Sequence, residues 1–139
     1  MELKPAVGLR HTASVKVDAG LTVPEVSVAF GSFRDMPPVF ATAFMVGFVE
    51  AICIAALKPH LPEHQHTVGI HVDLRNSAAT PVGMTVTADV ELVAVEGRRL
   101  RFKAECRDDA EVIATGFHDR AIVDAAKFLA RVQDKARKA

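Results

Sequence analysis

The chain has 139 residues, half of them apolar, and its 17 basic and 17 acidic side chains cancel at neutral pH. That length suits a single domain spanning 1–139, since domains commonly hold on the order of 100–150 residues. The lack of net charge, with Phe as the only aromatic type, argues against nucleic acid or an anionic membrane as the main partner. Cys53 and Cys106 both sit in apolar stretches and read as buried free thiols, which suit a reducing compartment. The opening Met1-Glu2-Leu3-Lys4-Pro5 lacks the apolar run of a signal peptide. A cytoplasmic location is expected.

In chain order, residues 8–18 come first. There Leu9, His11, Ala13, Val15 and Val17 oppose Arg10, Thr12, Ser14, Lys16 and Asp18. A period of two predicts a half-buried strand. Residues 22–30 read as a second short extended piece, followed by a loop through Gly31-Ser32-Phe33-Arg34-Asp35. A helix is expected from about Pro38 to Leu57, closed by Lys58-Pro59. The apolar run from Met36 to Leu57 is almost long enough to cross a bilayer. Glu50 lies inside it, where a lone carboxylate would be costly in lipid, and the flanking chain alternates as strands do. The run therefore reads as a buried helix of a soluble domain.

Four strand-like runs follow, at about 66–75, 83–95, 98–107 and 111–123. Glu96-Gly97 and Asp108-Asp109 punctuate hairpins between them. A short amphipathic helix ends the chain, with Asp124 as its N-cap and Phe128, Leu129 and Val132 on its apolar side. Lys135, Arg137 and Lys138 suit its negative C-terminal end. One strand, one long helix and four consecutive strands make an α+β domain. A curled antiparallel sheet can wrap a central helix that is apolar over most of its circumference. This is the hot-dog arrangement, and its open sheet edge invites a homodimer, with tetramers as a further option.

Within the helix, Thr42, Val46 and Glu50 are spaced by four and share one face. Thr42 lies near the helix N-terminus, where free N–H groups favour negative charge. Glu50 must be paired, hydrogen-bonded or neutralised in such surroundings. It reads either as a site residue or as a polar group satisfied at an interface, and the site reading is favoured. Asn76 closes a strand before Ser77-Ala78-Ala79-Thr80-Pro81-Val82-Gly83 and shares parity with Ile70, Val72 and Leu74. Its amide is therefore expected to face the core, although taken alone an Asn before a Pro-Gly loop reads better as a turn former. By the same parity His71, Asp73 and Arg75 form the opposite, solvated face, unless a one-residue bulge turns His71 and Asp73 inward.

Phe33, Pro37, Val39-Phe40-Ala41-Thr42, Phe44-Met45-Val46-Gly47, Glu50, Gly69, Ala78-Ala79-Thr80-Pro81, Val95-Glu96-Gly97-Arg98-Arg99-Leu100 and His118-x-Arg120-Ala121 together resemble the fluoroacetyl-CoA thioesterase family of hot-dog proteins. The resemblance covers nearly the whole chain in order. It implies a catalytic Thr, Glu and His with a glycine N–H near the thioester carbonyl. The matching positions are Thr42, Glu50 and Gly69, while Asn76 stands where the family has its His. A carboxamide cannot move protons as an imidazole does, but it can donate a hydrogen bond to a carbonyl or hold a water.

The resemblance also implies two Phe side chains over the acyl pocket. Phe33 matches one and Met36 replaces the other, so selectivity for a fluorinated acetyl group is expected to weaken. Arg120 and His118 are assigned to the pocket or a dimer contact. Arg98, Arg99 and Arg101 are either a charged hairpin tip or contacts for CoA phosphates.

The implied activity is hydrolysis of a small acyl-CoA, with CoA part of the substrate and no metal or other cofactor. A catalytically weak acyl-CoA binder and a ligand-free structural dimer are the alternatives. His60, His64, His66 and His71 crowd one stretch, but no defined fourth ligand completes a zinc site. Hot-dog dehydratases would place a His in the loop before the helix, and Phe33-Arg34-Asp35-Met36-Pro37 has none.

Overall fold

The computed structural model describes residues 3–139, so Met1 and Glu2, the start of the segment read as lacking a signal peptide, lie outside the described residues. Five strands form one antiparallel sheet: β1 (Arg10–Lys16), β2 (Gln65–Asn76), β3 (Thr85–Glu96), β4 (Arg99–Arg107) and β5 (Val112–Asp124). Their spatial order is β1-β3-β4-β5-β2. Helix α1 (Thr42–Leu57) lies against the sheet, and α2 (Ala125–Lys138) follows β5 directly. The strand boundaries fall within two residues of the sequence-based expectation.

Alternation explains which face of the sheet meets the helix. In β3, Val86, Ala88, Val90 and Leu92 are buried, and in β4 so are Leu100, Phe102, Ala104 and Cys106. On α1 the buried residues are Met45, Val49, Ile52, Cys53, Ala56 and Leu57. Steps of three and four place them on one stripe. The helix is apolar over most of its circumference; that stripe is fully covered within the chain, Phe44, Val46 and Phe48 are partly covered beside it, and Ile54 on another face is 47% exposed. By length and composition alone, Thr42–His60 could cross a membrane. Here its buried stripe seals the sheet instead.

Two expectations about the segment before α1 are corrected. Residues 22–30 do not form an extended strand; short 3₁₀ turns occupy Ala19–Leu21, Val23–Glu25 and Gly31–Phe33. Pro24 has no N–H to give a ladder and sits in the first turn of its 3₁₀ segment, where none is needed. Helix α1 starts at Thr42 rather than Pro38 because Val39 and Phe40 are taken by isolated bridges to Pro81 and Thr22. Hydrogen bonds from Phe40 N–H to the Thr80 carbonyl (2.9 Å) and from Ala41 N–H to the Leu21 carbonyl (3.0 Å) hold this stretch extended.

The hairpin of β3 and β4 closes through Gly97, whose φ of +61° supplies the positive angle its tight turn demands. At α2 the expected cap is present: the Asp124 carboxylate accepts from Lys127 N–H at 3.0 Å.

Candidate active site

The register of β2 against β5 decides which side chains face α1. Gly69 pairs with Arg120 but His71 pairs with Asp119, so Ile70 is an extra residue, a β-bulge. Beyond it, Val72 pairs with His118, Leu74 with Gly116 and Asn76 with Ala114. Simple parity cannot put Gly69 and Asn76 on one face, because they lie seven positions apart, an odd step. The bulge makes up the difference. Gly69, Val72, Leu74 and Asn76 all share the face of His118 and Arg120, towards α1. His71 and Asp73 stay on the opposite face, so the bulge does not turn them inward as an acid-base pair.

Two clusters result. In the first, Glu50 leaves α1 towards β2 and β5. One of its carboxylate oxygens, Oε2, accepts from Arg120 Nη1 at 3.1 Å. It lies 3.9 Å from His118 Nε2. The Glu50 side chain is 38% exposed, while those of Arg120 and His118 are 4% and 1%. Arg120 is further held by Thr67, through Nε to the hydroxyl and Nη2 to the carbonyl, both at 2.8 Å. A buried guanidinium needs this many acceptors to offset its lost hydration. A Cβ placed on Gly69 would stand 2.7 Å from the same Glu50 oxygen. Glycine is required there so that the carboxylate can lie against the strand backbone.

The second cluster sits at the N-terminus of α1. Asn76 and Thr42 are joined by a 2.8 Å hydrogen bond. The surroundings decide how the amide is turned. With its nitrogen facing the carbonyls of Ala78 (3.0 Å) and Ile113 (3.1 Å), its oxygen accepts from the Thr42 hydroxyl, and every group is satisfied. Both amide hydrogens are then engaged, so neither is free for a substrate carbonyl. The N-cap Ala41 offers no side-chain acceptor, which leaves the first N–H groups of α1 without a side-chain partner. A cleft of about 310 Å³ opens here, lined by Val23, Val39, Phe40, Thr42 and Asn76 among others.

Phe33 and Met36 do not line that cleft. Phe33 is half-buried and stacks edge-on with Phe30 at 6.1 Å, and Met36 is 47% exposed. On the helix side, then, the chain gathers Glu50, Gly69 and Arg120 in one place and Thr42 and Asn76 in another. Thr42 and Glu50 lie eight positions apart on the helix, about 12 Å along the axis.

Sequence reasoning missed that Arg120 pairs with Glu50, and it missed Asp119 altogether. Asp119 is fully buried on the opposite face of the sheet, 2.5 Å from Arg99 Nη2 and 3.5 Å from Arg101 Nε. Two of the three arginines considered for CoA phosphates are thus held by a carboxylate of this chain. Only an alternation count through Phe117, Asp119 and Ala121 could have pointed to that residue. Among the described residues no group of three or more His, Cys, Asp or Glu is placed to hold a metal ion.

A curled antiparallel sheet on one long helix, with an acid from the helix laid against a strand glycine, defines the class: this is the hot-dog thioesterase fold. A hot-dog-like protein from Thermanaerovibrio acidaminovorans superposes with a TM-score of 0.80 at 26% identity, covering 93% of this chain and 91% of that one. The particular family is also clear. The family model described as fluoroacetyl-CoA-specific thioesterase matches residues 22–126, and the chain belongs to that family of thioester hydrolases. It is 39% identical over 129 residues to the fluoroacetyl-CoA thioesterase of Streptantibioticus cattleyicolor, covering 93% of each chain. A solved variant of fluoroacetyl-CoA thioesterase in complex with fluoroacetate superposes with a TM-score of 0.90 at 37% identity, over 94% of this chain and 98% of that one.

Proposed function

We propose that the protein hydrolyses CoA thioesters of small acyl groups, without fluoroacetyl specificity, in pockets completed by a second copy of the chain. The observation that carries the reading is the Glu50 carboxylate, part-exposed and held by Arg120 against Gly69. Glu50 acts on the acyl carbon, either by taking a proton from an attacking water or by direct attack. In the first route the bond from water oxygen to acyl carbon forms, the carbon–sulfur bond breaks, and the proton ends on the CoA thiolate. The Gly69 N–H is the oxyanion donor in this scheme; such a donor is typically worth about 10²–10³ in rate. Asn76 is a positioning residue, since its amide hydrogens are spent on backbone carbonyls. It fixes the Thr42 hydroxyl, which orients the substrate.

The free edge of β2 supports the dimer reading. The strand has twelve residues and only β5 beside it. Ile54 on α1 and Ile70 and Val72 on β2 leave apolar surface, each between 46% and 49% exposed. Antiparallel pairing of two β2 strands about a two-fold axis at Asp73 pairs like faces, Val72 with Leu74, and across the bulge at Ile70 sets Gly69 of one protomer opposite Asn76 of the other. The Glu50 cluster of one copy then meets the Thr42 cluster of its partner. No metal or further cofactor is needed, and CoA enters as part of the substrate. The two buried thiols, pushed up to about 12 for Cys53 and about 11 for Cys106 chiefly by burial, suit a reducing, cytoplasmic setting.

The test is thiol release from a panel of CoA esters that includes acetyl, fluoroacetyl, propionyl and butyryl. The reading predicts turnover of more than one small ester, with fluoroacetyl not set apart from acetyl. Thermal stabilisation by CoA esters without turnover would instead make the protein an acyl-CoA binder.

A further inference from the structure

Beyond the carboxylate itself, His118 offers an assignment that the family resemblance does not make. Its side chain is 1% exposed, and each ring nitrogen has a partner. Nδ1 lies 2.9 Å from the His71 carbonyl oxygen. A carbonyl only accepts, so Nδ1 must carry the hydrogen. Nε2 lies 3.1 Å from Arg120 Nη1, and a guanidinium only donates. The neutral Nδ1–H tautomer therefore satisfies both contacts, whereas the other tautomer would oppose two donors on one side and two acceptors on the other. Burial, helped by the Arg120 charge, lowers the His118 pKa and favours the neutral form. The bulge at Ile70 matters here too, because His71, whose carbonyl is used, is the first residue after it.

We propose that His118 is a positioning residue that, as the Nδ1–H tautomer, accepts from Arg120 Nη1 and so holds the guanidinium in place against Glu50. The same Nη1 serves both His118 and Glu50 Oε2. A shift of Arg120 therefore moves the carboxylate as well. The consequence for turnover rests on the hydrolytic reading above; the tautomer does not.

Two variants separate the two bonds of the imidazole. The amide of His118→Gln reaches the Nε2 position and can accept from Arg120. That of His118→Asn reaches only the Nδ1 position and can donate to the His71 carbonyl. We expect H118Q to keep kcat within roughly threefold of the parent. H118N should lose on the order of 10²-fold in kcat, with KM little changed, because a misplaced catalytic group carries a cost of that size. Equal losses in both variants, or none in H118N, would overturn the proposal.

Nitrogen-15 NMR of the imidazole in the unsubstituted protein runs beside the kinetics. Protonated Nδ1 with bare Nε2 across the neutral range is the expected result, and protonated Nε2 overturns the proposal. That measurement also decides the matter if either variant fails to fold. Should the parent hydrolyse no ester of the panel, the hydrolytic reading fails and the tautomer is still determined.

Discussion

Replacing Gly69 by Ala would put a Cβ 2.7 Å from Glu50 Oε2, 3.3 Å from His118 Cε1 and 3.4 Å from Arg120 Nη1. The carboxylate must then swing away from the strand. We expect Gly69→Ala to reduce kcat on the order of 10²-fold while the melting temperature stays close to that of the parent, as calorimetry would show. Asn76→Asp is a second residue-scale test. It sets an oxygen against the carbonyls of Ala78 and Ile113, where the amide now donates. The loss should be on the order of 1 kcal/mol, the net worth of a typical hydrogen bond, because Asn76 is exposed and water relieves part of the opposition. An Asp variant as stable as the parent in denaturant titration would show that the amide nitrogen points elsewhere. At this scale the sequence showed which residue types were available but not how they pair. Glu50 and Arg120 lie 70 positions apart, and no local period connects them. Gly69 and Asn76 could be set on one face only by resemblance, because the bulge that reconciles their parity leaves no mark in the alternation of β2.

Between elements, Asp108 ties the loop joining β4 and β5 to the chain before β3. Its carboxylate accepts from Ala110 N–H at 2.8 Å and Glu111 N–H at 3.0 Å. It also accepts from the Thr80 hydroxyl at 2.8 Å. Burial alone would raise its pKa, but these three hydrogen bonds outweigh it and hold the carboxyl below its ordinary value. A group depressed in the folded state contributes stability above its unfolded pKa and loses it as pH falls through the folded value. Asp108→Asn should therefore unfold more easily at neutral pH, by on the order of 1 kcal/mol. The gap from the parent should close on acidification below the ordinary aspartate range. A gap that stays constant across thermal melts at successive pH values would contradict the assignment.

The elements themselves were the most legible part of the sequence. Period-two runs gave β2 to β5 within two residues, because alternate burial on one helix-covered sheet requires that period. The stretch before α1 was not legible, since its extended or turned state depends on bridges to Thr80, Pro81 and Leu21 rather than on its own pattern.

For the whole molecule, the single chain leaves the β2 edge of its sheet open and its two clusters of candidate site residues apart. The proposed two-fold pairing of β2 resolves both. Val72, 46% exposed near the expected axis, is the position to disturb. Val72→Glu puts two like charges near that axis, and sedimentation should show monomers where the parent forms dimers. Turnover should fall with assembly. A monomeric variant with full activity would mean that each chain carries a complete site. Composition and alternation pointed to an open edge but could not say which strand forms it, because the order β1-β3-β4-β5-β2 is a property of the folded sheet.

The most direct test of the account is steady-state hydrolysis of the preferred CoA ester by Glu50→Gln. The substitution keeps an acceptor for Arg120, which also retains Thr67 and His118 as partners, so the variant should fold and bind the ester as the parent does. The account predicts that kcat falls by about 10²–10⁴, the contribution of a general base. Turnover by the Gln variant at the parent's rate would contradict it.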